Sequence, residues 1–154
     1  MKYKRLESAE LKELEKEFIH FLASAQITGS DWEKMKVNEL EKAEELIDVF
    51  SDLVYEKVIS KIDYLEYRDN NSLNIFHFTK DKIVLIGLRV KESSNLDLMS
   101  HNVFEAWNQS NMNSVNLIKT EKAYLKEKGI EIFELLQTGC LISDGKLFNL
   151  LKEL

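Results

Sequence analysis

The chain of 154 residues has no proline, five glycines and one cysteine. Without proline there is no polyproline ligand segment, and so few glycines exclude collagen-like repeats, Gly/Ser linkers and glycine-rich phosphate loops. Cys140 alone can form neither an internal disulfide nor a cysteine-rich zinc site, which fits a reducing compartment. Long hydrophobic runs are missing as well. The longest, Ile83 to Leu88, falls far short of the roughly 20 apolar residues that a membrane-crossing helix needs. Glu7, Glu10 and Glu13 follow the charged start Lys2-Tyr3-Lys4-Arg5 where a secretory signal would be apolar, so a soluble cytoplasmic protein is expected.

What is present suits one compact domain: 44% of residues are hydrophobic, 10% aromatic, and 27 acids against 21 bases give a net charge of −6. Leu11, Leu14, Phe18, Phe21 and Ala25 recur at helical spacing and predict a helix over 9–25 capped by Ser8. Ser30 and Glu33 have capping-box spacing and predict a short helix over 31–36. Asn38 and Glu41 repeat that spacing ahead of Ala43, Ile47, Phe50, Val54 and Val58, which predict the longest helix, 39–62.

The period then changes. Leu73/Ile75/His77 and Asn74/Phe76/Phe78 alternate, Lys80-Asp81 can turn, and Lys82 to Val90 is rich in Ile, Val and Leu: a β-hairpin, preceded by a strand at 64–67. Ser100 predicts a capped helix through Trp107, Asn108–Asn113 reads as a polar loop and Val115–Thr120 as a strand. Two helices close the chain, one from Glu121 or later to Gln137 with Gly139 as its stop, the other from Asp144 to Leu154. The expected fold class is therefore α+β: a single small domain with N-terminal helices, a central antiparallel sheet of about three or four strands, and C-terminal helices.

Glu45, Asp48, Asp52 and Glu56 fall within about 80° of one another on the long helix. They point away from its apolar stripe, so a solvated face is a better reading than a Mg²⁺ or Ca²⁺ site. Seven acids against three lysines give residues 39–62 a net −4 of the chain's −6. This face is the expected docking surface for another protein with a basic surface. Trp32 and Trp107 are the large rings expected to be partly exposed and to act as contact anchors.

The other chemistry is diffuse. His20, His77 and His101 lack metal-ligand spacing and read as structural, and Cys140 beside Leu141-Ile142 reads as a blunted thiol. No nucleophile elbow, zinc-protease helix, Walker loop or dinucleotide fingerprint occurs, and no cofactor is implied. Catalysis would need a site assembled from distant residues such as Glu17, His20, Asp52, His77 or Tyr124. Two basic clusters, Lys2/Lys4/Arg5 and Lys119/Lys122/Lys126/Lys128, offer RNA binding as a further alternative that the net charge disfavours. A homo-oligomer could form through a sheet edge or through the apolar positions Leu147, Phe148, Leu150, Leu151 and Leu154.

Several blocks carry a resemblance: Met1-Lys2-Tyr3-Lys4-Arg5-Leu6, Glu17-Phe18-Ile19-His20-Phe21-Leu22-Ala23, Asp31-Trp32, Asp48 through Glu56, Lys122-Ala123-Tyr124, Ile132 through Leu136 and Gly145 through Phe148. Together they resemble a family of small Bacteroidetes-type bacterial proteins known only as a domain of unknown function. The resemblance spans nearly the whole chain. It implies a bacterial, cytoplasmic, stand-alone domain and brings no activity, cofactor or catalytic residue with it.

Overall fold

A computed structural model describes all 154 residues. They form two compact units, residues 1–60 and 61–154. Helices occur toward both ends of the chain and a five-stranded antiparallel sheet lies between them in sequence, an α+β fold. No helix is long and apolar enough to cross a membrane.

The first unit is helical: α1 (Ser8–Glu13), α2 (Glu15–Ser24), α3 (Gly29–Asn38) and α4 (Leu40–Ile59). The helix expected over 9–25 is thus divided. Leu14 takes φ −100° and ψ 21°, and its N–H is shared between the carbonyls of Glu10 and Leu11 at 3.1 and 3.2 Å, a tightened turn that pinches the helix without ending the apolar stripe. Glu7, not Ser8, is the N-cap of α1, and its N–H donates to the Glu10 carboxylate at 2.7 Å.

The capping box of α3 lies two residues before the expected one. Thr28 Oγ1 accepts from the Asp31 N–H and the Asp31 carboxylate accepts from the Thr28 N–H, both at 3.1 Å, so the helix starts at Gly29 and not at 31. Glu39, with φ −138°, stands at the N-cap position of α4 without a side-chain bond to a helix amide, and Asn38 is the last residue of α3. Phe18, Phe21 and Phe50 pack with ring centroids 5.0–6.1 Å apart, and the stripe positions Ala43 and Phe50 are buried together with Leu22, which lies beside the expected stripe, whereas Ala25 and Val58 at the stripe ends are exposed.

The second unit holds β1 (Tyr64–Arg68), β2 (Ser72–Phe78), β3 (Lys82–Val90), α5 (Gln109–Asn113), β4 (Val115–Ala123), α6 (Lys128–Gln137), β5 (Leu141–Ser143) and α7 (Lys146–Lys152). The sheet order is β4-β3-β2-β1-β5, so the expected three or four strands become five. The addition is β5, three residues paired with Tyr64–Glu66 in a stretch too short to show alternation. One sheet face buries Leu73, Ile75, Ile86, Leu88 and Val115 against Leu98, Phe148 and Leu151. The Asp69 carboxylate closes the β1–β2 turn by accepting from the N–H groups of Asn71 and Ser72, which holds it below the usual carboxylate range.

Four further expectations fail locally. Residues 100–107 form turns and not a helix: Asn102 sits at φ 59°, where a right-handed helix cannot continue. The segment read as a polar loop is α5, because Asn108 and Asn111 cap each other reciprocally at 2.9 and 3.1 Å. β4 runs on through Ala123, which moves the start of the penultimate helix from the region of Glu121 to Lys128. The final helix begins at Lys146 and not Asp144. Gly145 precedes it at φ +84°, where a Cβ would lie 2.5 Å from the Tyr64 ring, so only glycine fits.

Candidate interaction surface

The acidic face of α4 is occupied by the chain itself. Residues 2–6 lie along it in a ladder of contacts that runs opposite to the helix direction. The Asp52 carboxylate accepts from two successive backbone amides, Lys2 N–H at 2.6 Å and Tyr3 N–H at 2.9 Å. Glu56 accepts from the Tyr3 hydroxyl at 2.6 Å and from Lys2 Nζ at 3.1 Å. Arg5 forks onto Asp48, with Nε at 2.5 Å from one oxygen and a terminal nitrogen at 3.0 Å from the other. Leu6 N–H donates to Ser51 Oγ at 2.9 Å, and the fully buried Ser51 hydroxyl in turn donates to Ile47 O at 2.7 Å.

The spacing explains the fit. From Lys2 to Arg5 an extended chain advances roughly 10 Å, close to the ~12 Å that α4 rises between Asp48 and Glu56. Carboxylates one helical turn apart therefore meet successive donors of a strand. Leu6, buried, anchors the end of the segment.

The electrostatics follow the geometry. The Arg5 guanidinium holds the Asp48 carboxyl below its ordinary range, and the hydrogen bonds from Tyr3 and Lys2 do the same for Glu56. Burial, then the bond to Glu56, pushes the Tyr3 phenol up. The solvated row expected from the helical wheel is thus split: Asp48 and Asp52 are half-buried and engaged together with Glu56, while Glu45 is exposed and outside the ladder. The sequence signal was present in the opposite charges of residues 2–5 and 39–62.

The chain belongs to DUF6495, a family of unknown function, matched over residues 1–154. Comparison with curated proteins and with solved structures found no match.

The remaining candidates have local roles. Trp32 is half-buried, edge-on to Phe18 with centroids 5.1 Å apart, and lines a groove with Phe18, Ile19, Leu22 and Ile27. Trp107 is half-buried too, stacked on Phe104 at 5.0 Å against the sheet core. The Arg68 guanidinium lies 5.0 Å from the Phe104 ring centroid. His77 stacks on Tyr64 at 4.4 Å and meets the edge of Phe148 at 5.1 Å, and burial pulls its pKa down. His20 is exposed. Burial raises the Cys140 thiol, as its apolar neighbours predict.

In the second lysine cluster, Lys119 Nζ donates to the carbonyls of Lys152 and Leu154 at 2.9 and 3.5 Å, Lys122 lies 3.6 Å from Glu131, and Lys126 pairs with Glu134. Nowhere do three or more His, Cys, Asp or Glu side chains converge in a metal-binding group.

Proposed function

We propose that this chain works by binding another protein, with the acidic face of α4 as its docking surface and an extended basic segment of the partner as the ligand. The observation that supports this reading is the seating of Lys2–Leu6 on that face. It offers a backbone clamp at Asp52, a guanidinium fork at Asp48 and a phenol acceptor at Glu56. A partner bearing the same pattern of amide, aromatic hydroxyl and guanidinium would meet the same carboxylates once the resident segment moves aside. Glu45, exposed at the end of the row, lengthens the acidic track toward a longer ligand. Trp32, half-exposed over its groove, is the aromatic contact in this reading; Trp107, turned against its own core, is the weaker one. The setting is the bacterial cytoplasm, supported by the single free thiol and by the resemblance of the sequence blocks.

The test is an NMR titration of the full chain with a peptide carrying Lys-Tyr-Lys-Arg-Leu and with its Glu-substituted counterpart. The basic peptide is expected to shift the amide signals of Lys2, Tyr3, Leu6 and residues 48–56, and the acidic one to shift none. Binding that is unchanged in a folded Asp48→Asn/Asp52→Asn/Glu56→Gln variant, or no binding of the basic peptide, overturns the reading.

A further inference from the structure

β4 is one edge of the sheet, and apart from Val115 and Leu117 all its residues are exposed. Its inner side pairs with β3 from Val115 to Ala123. No backbone hydrogen bond reaches its outer side: none of the turn, loop and cap bonds of the chain involves residues 115–123. Nine residues with an unpaired outer side make a long edge, and the opposite edge, β5, has only three.

We infer that the outer edge of β4 pairs antiparallel with β4 of a second copy, on a two-fold axis through Thr120. The register follows from symmetry. An axis that reverses the strand must stand perpendicular to the sheet, which keeps every side chain on its own face. Paired residues then have the same parity in the sequence, so the axis passes through a residue and never between two. An axis through Lys119, Glu121 or Lys122 sets that charge against its own copy, and one through Ile118 sets Lys119 against an apolar Leu117. An axis through Thr120 sets Lys119 against the partner subunit's Glu121, and Glu121 against the partner subunit's Lys119, so two opposite-charge pairs form at once.

Neighbouring pairs suit this register. Ile118, 41% exposed, would lie beneath the methylene stem of the partner's Lys122, and Leu117 opposite the partner's Ala123. Glu121 already holds Lys82 at 2.8 Å and has a second oxygen for the incoming ammonium. Because each copy uses its one long edge, the assembly closes at two chains and does not grow into a fibre.

Sedimentation of the full chain tests this. The wild type is expected at twice its 18.0 kDa. Lys119→Glu and Glu121→Lys each place two like-charge pairs across the axis and should weaken the dimer about tenfold or more. An equimolar mixture of the two variants should dimerise again, as should the Lys119→Glu/Glu121→Lys double variant alone. In the otherwise unaltered chain, Thr120→Cys should cross-link to itself on oxidation, since directly opposed Cα atoms lie about 4.5–5.5 Å apart, within disulfide range. Ile118→Cys should not. A wild type that stays monomeric at about 0.1 mM, where a Kd of ~10 µM would give mostly dimer, overturns the inference. So does a dimer that Thr120→Cys fails to link or that survives both charge reversals, which would leave a foreign strand or another surface as the contact.

Discussion

The α4 face in residues 1–60 and the α7 face of the sheet in residues 61–154 each receive a short covering segment, and they hold it by different chemistry. Lys2–Leu6 lies on carboxylates at the surface, through ion pairs and backbone N–H hydrogen bonds that water and salt can replace, with Leu6 and Ser51 as the buried contacts. α7 presses Phe148 and Leu151 onto Leu73, Ile75, Ile86 and Leu88, where nothing in water substitutes for the lost contact. The first arrangement suits release and exchange, and the second suits permanence: exposed ion pairs contribute little net free energy, whereas a buried aromatic contributes several kcal/mol.

Mutations should separate the two regions in that order. Phe148→Ala is expected to have the largest effect, about 3–5 kcal/mol in urea unfolding, because it empties a buried site with little room to collapse. Gly145→Ala follows, at about 1–3 kcal/mol by the same measurement, because it forces a side chain into a left-handed backbone against the Tyr64 ring. Ser51→Ala should cost about 1–3 kcal/mol by leaving the buried Leu6 amide unpaired, and should speed proteolysis of residues 1–6 while sparing the sheet. A loss as large as that for Phe148→Ala would erase the distinction. Arg5→Ala should have the smallest effect on global stability, seen mainly as broadened Lys2 and Tyr3 amide signals, and molar salt should mimic it in the wild type.

Acid offers a second way to sharpen the contrast. His77 is depressed in the fold, so its contribution is full above the unfolded value of about 6.5 and is lost as pH falls through the folded one. Asp48 and Glu56 are depressed too, but from unfolded values of about 3.9 and 4.3, so the segment on α4 should loosen only below about pH 4. Stability followed from pH 7 to 3 should therefore begin to fall near pH 6.5, while the Lys2 and Tyr3 amide signals persist to about pH 4. His77→Phe should flatten the earlier part of that decline. Simultaneous loss of both signals would show that the regions do not titrate independently.

Legibility was uneven for physical reasons. The apolar periods located α4, β2 and β3 within a few residues, because burial of one face imposes the pattern directly. Boundaries set by a cap failed where several Ser, Thr, Asn and Asp stood close together: Thr28 prevailed over Ser30, and Asn108 with Asn111 made a helix of an expected loop, whereas α4 starts after Glu39 with no side-chain cap at all. β5 has only three residues and no pattern of its own. The C-terminal apolar positions, offered as an oligomer surface, are divided by the fold: Phe148 and Leu151 are buried, while Leu150 and Leu154 remain exposed.

The sequence by itself determined that a long helix with carboxylates on one side and an apolar stripe on the other follows Asn38, since periodicity is a local property of the chain, although the helix ends at Ile59 and not at Ile62 as the spacing predicts. Only the tertiary structure decided what meets those carboxylates. Lys2, Tyr3 and Arg5 lie more than forty positions away from their partners, and no spacing rule joins them. Long-range pairing depends on where the intervening helices turn, and those turns rest on single caps and on one pinched residue, Leu14, that the pattern of side chains does not announce.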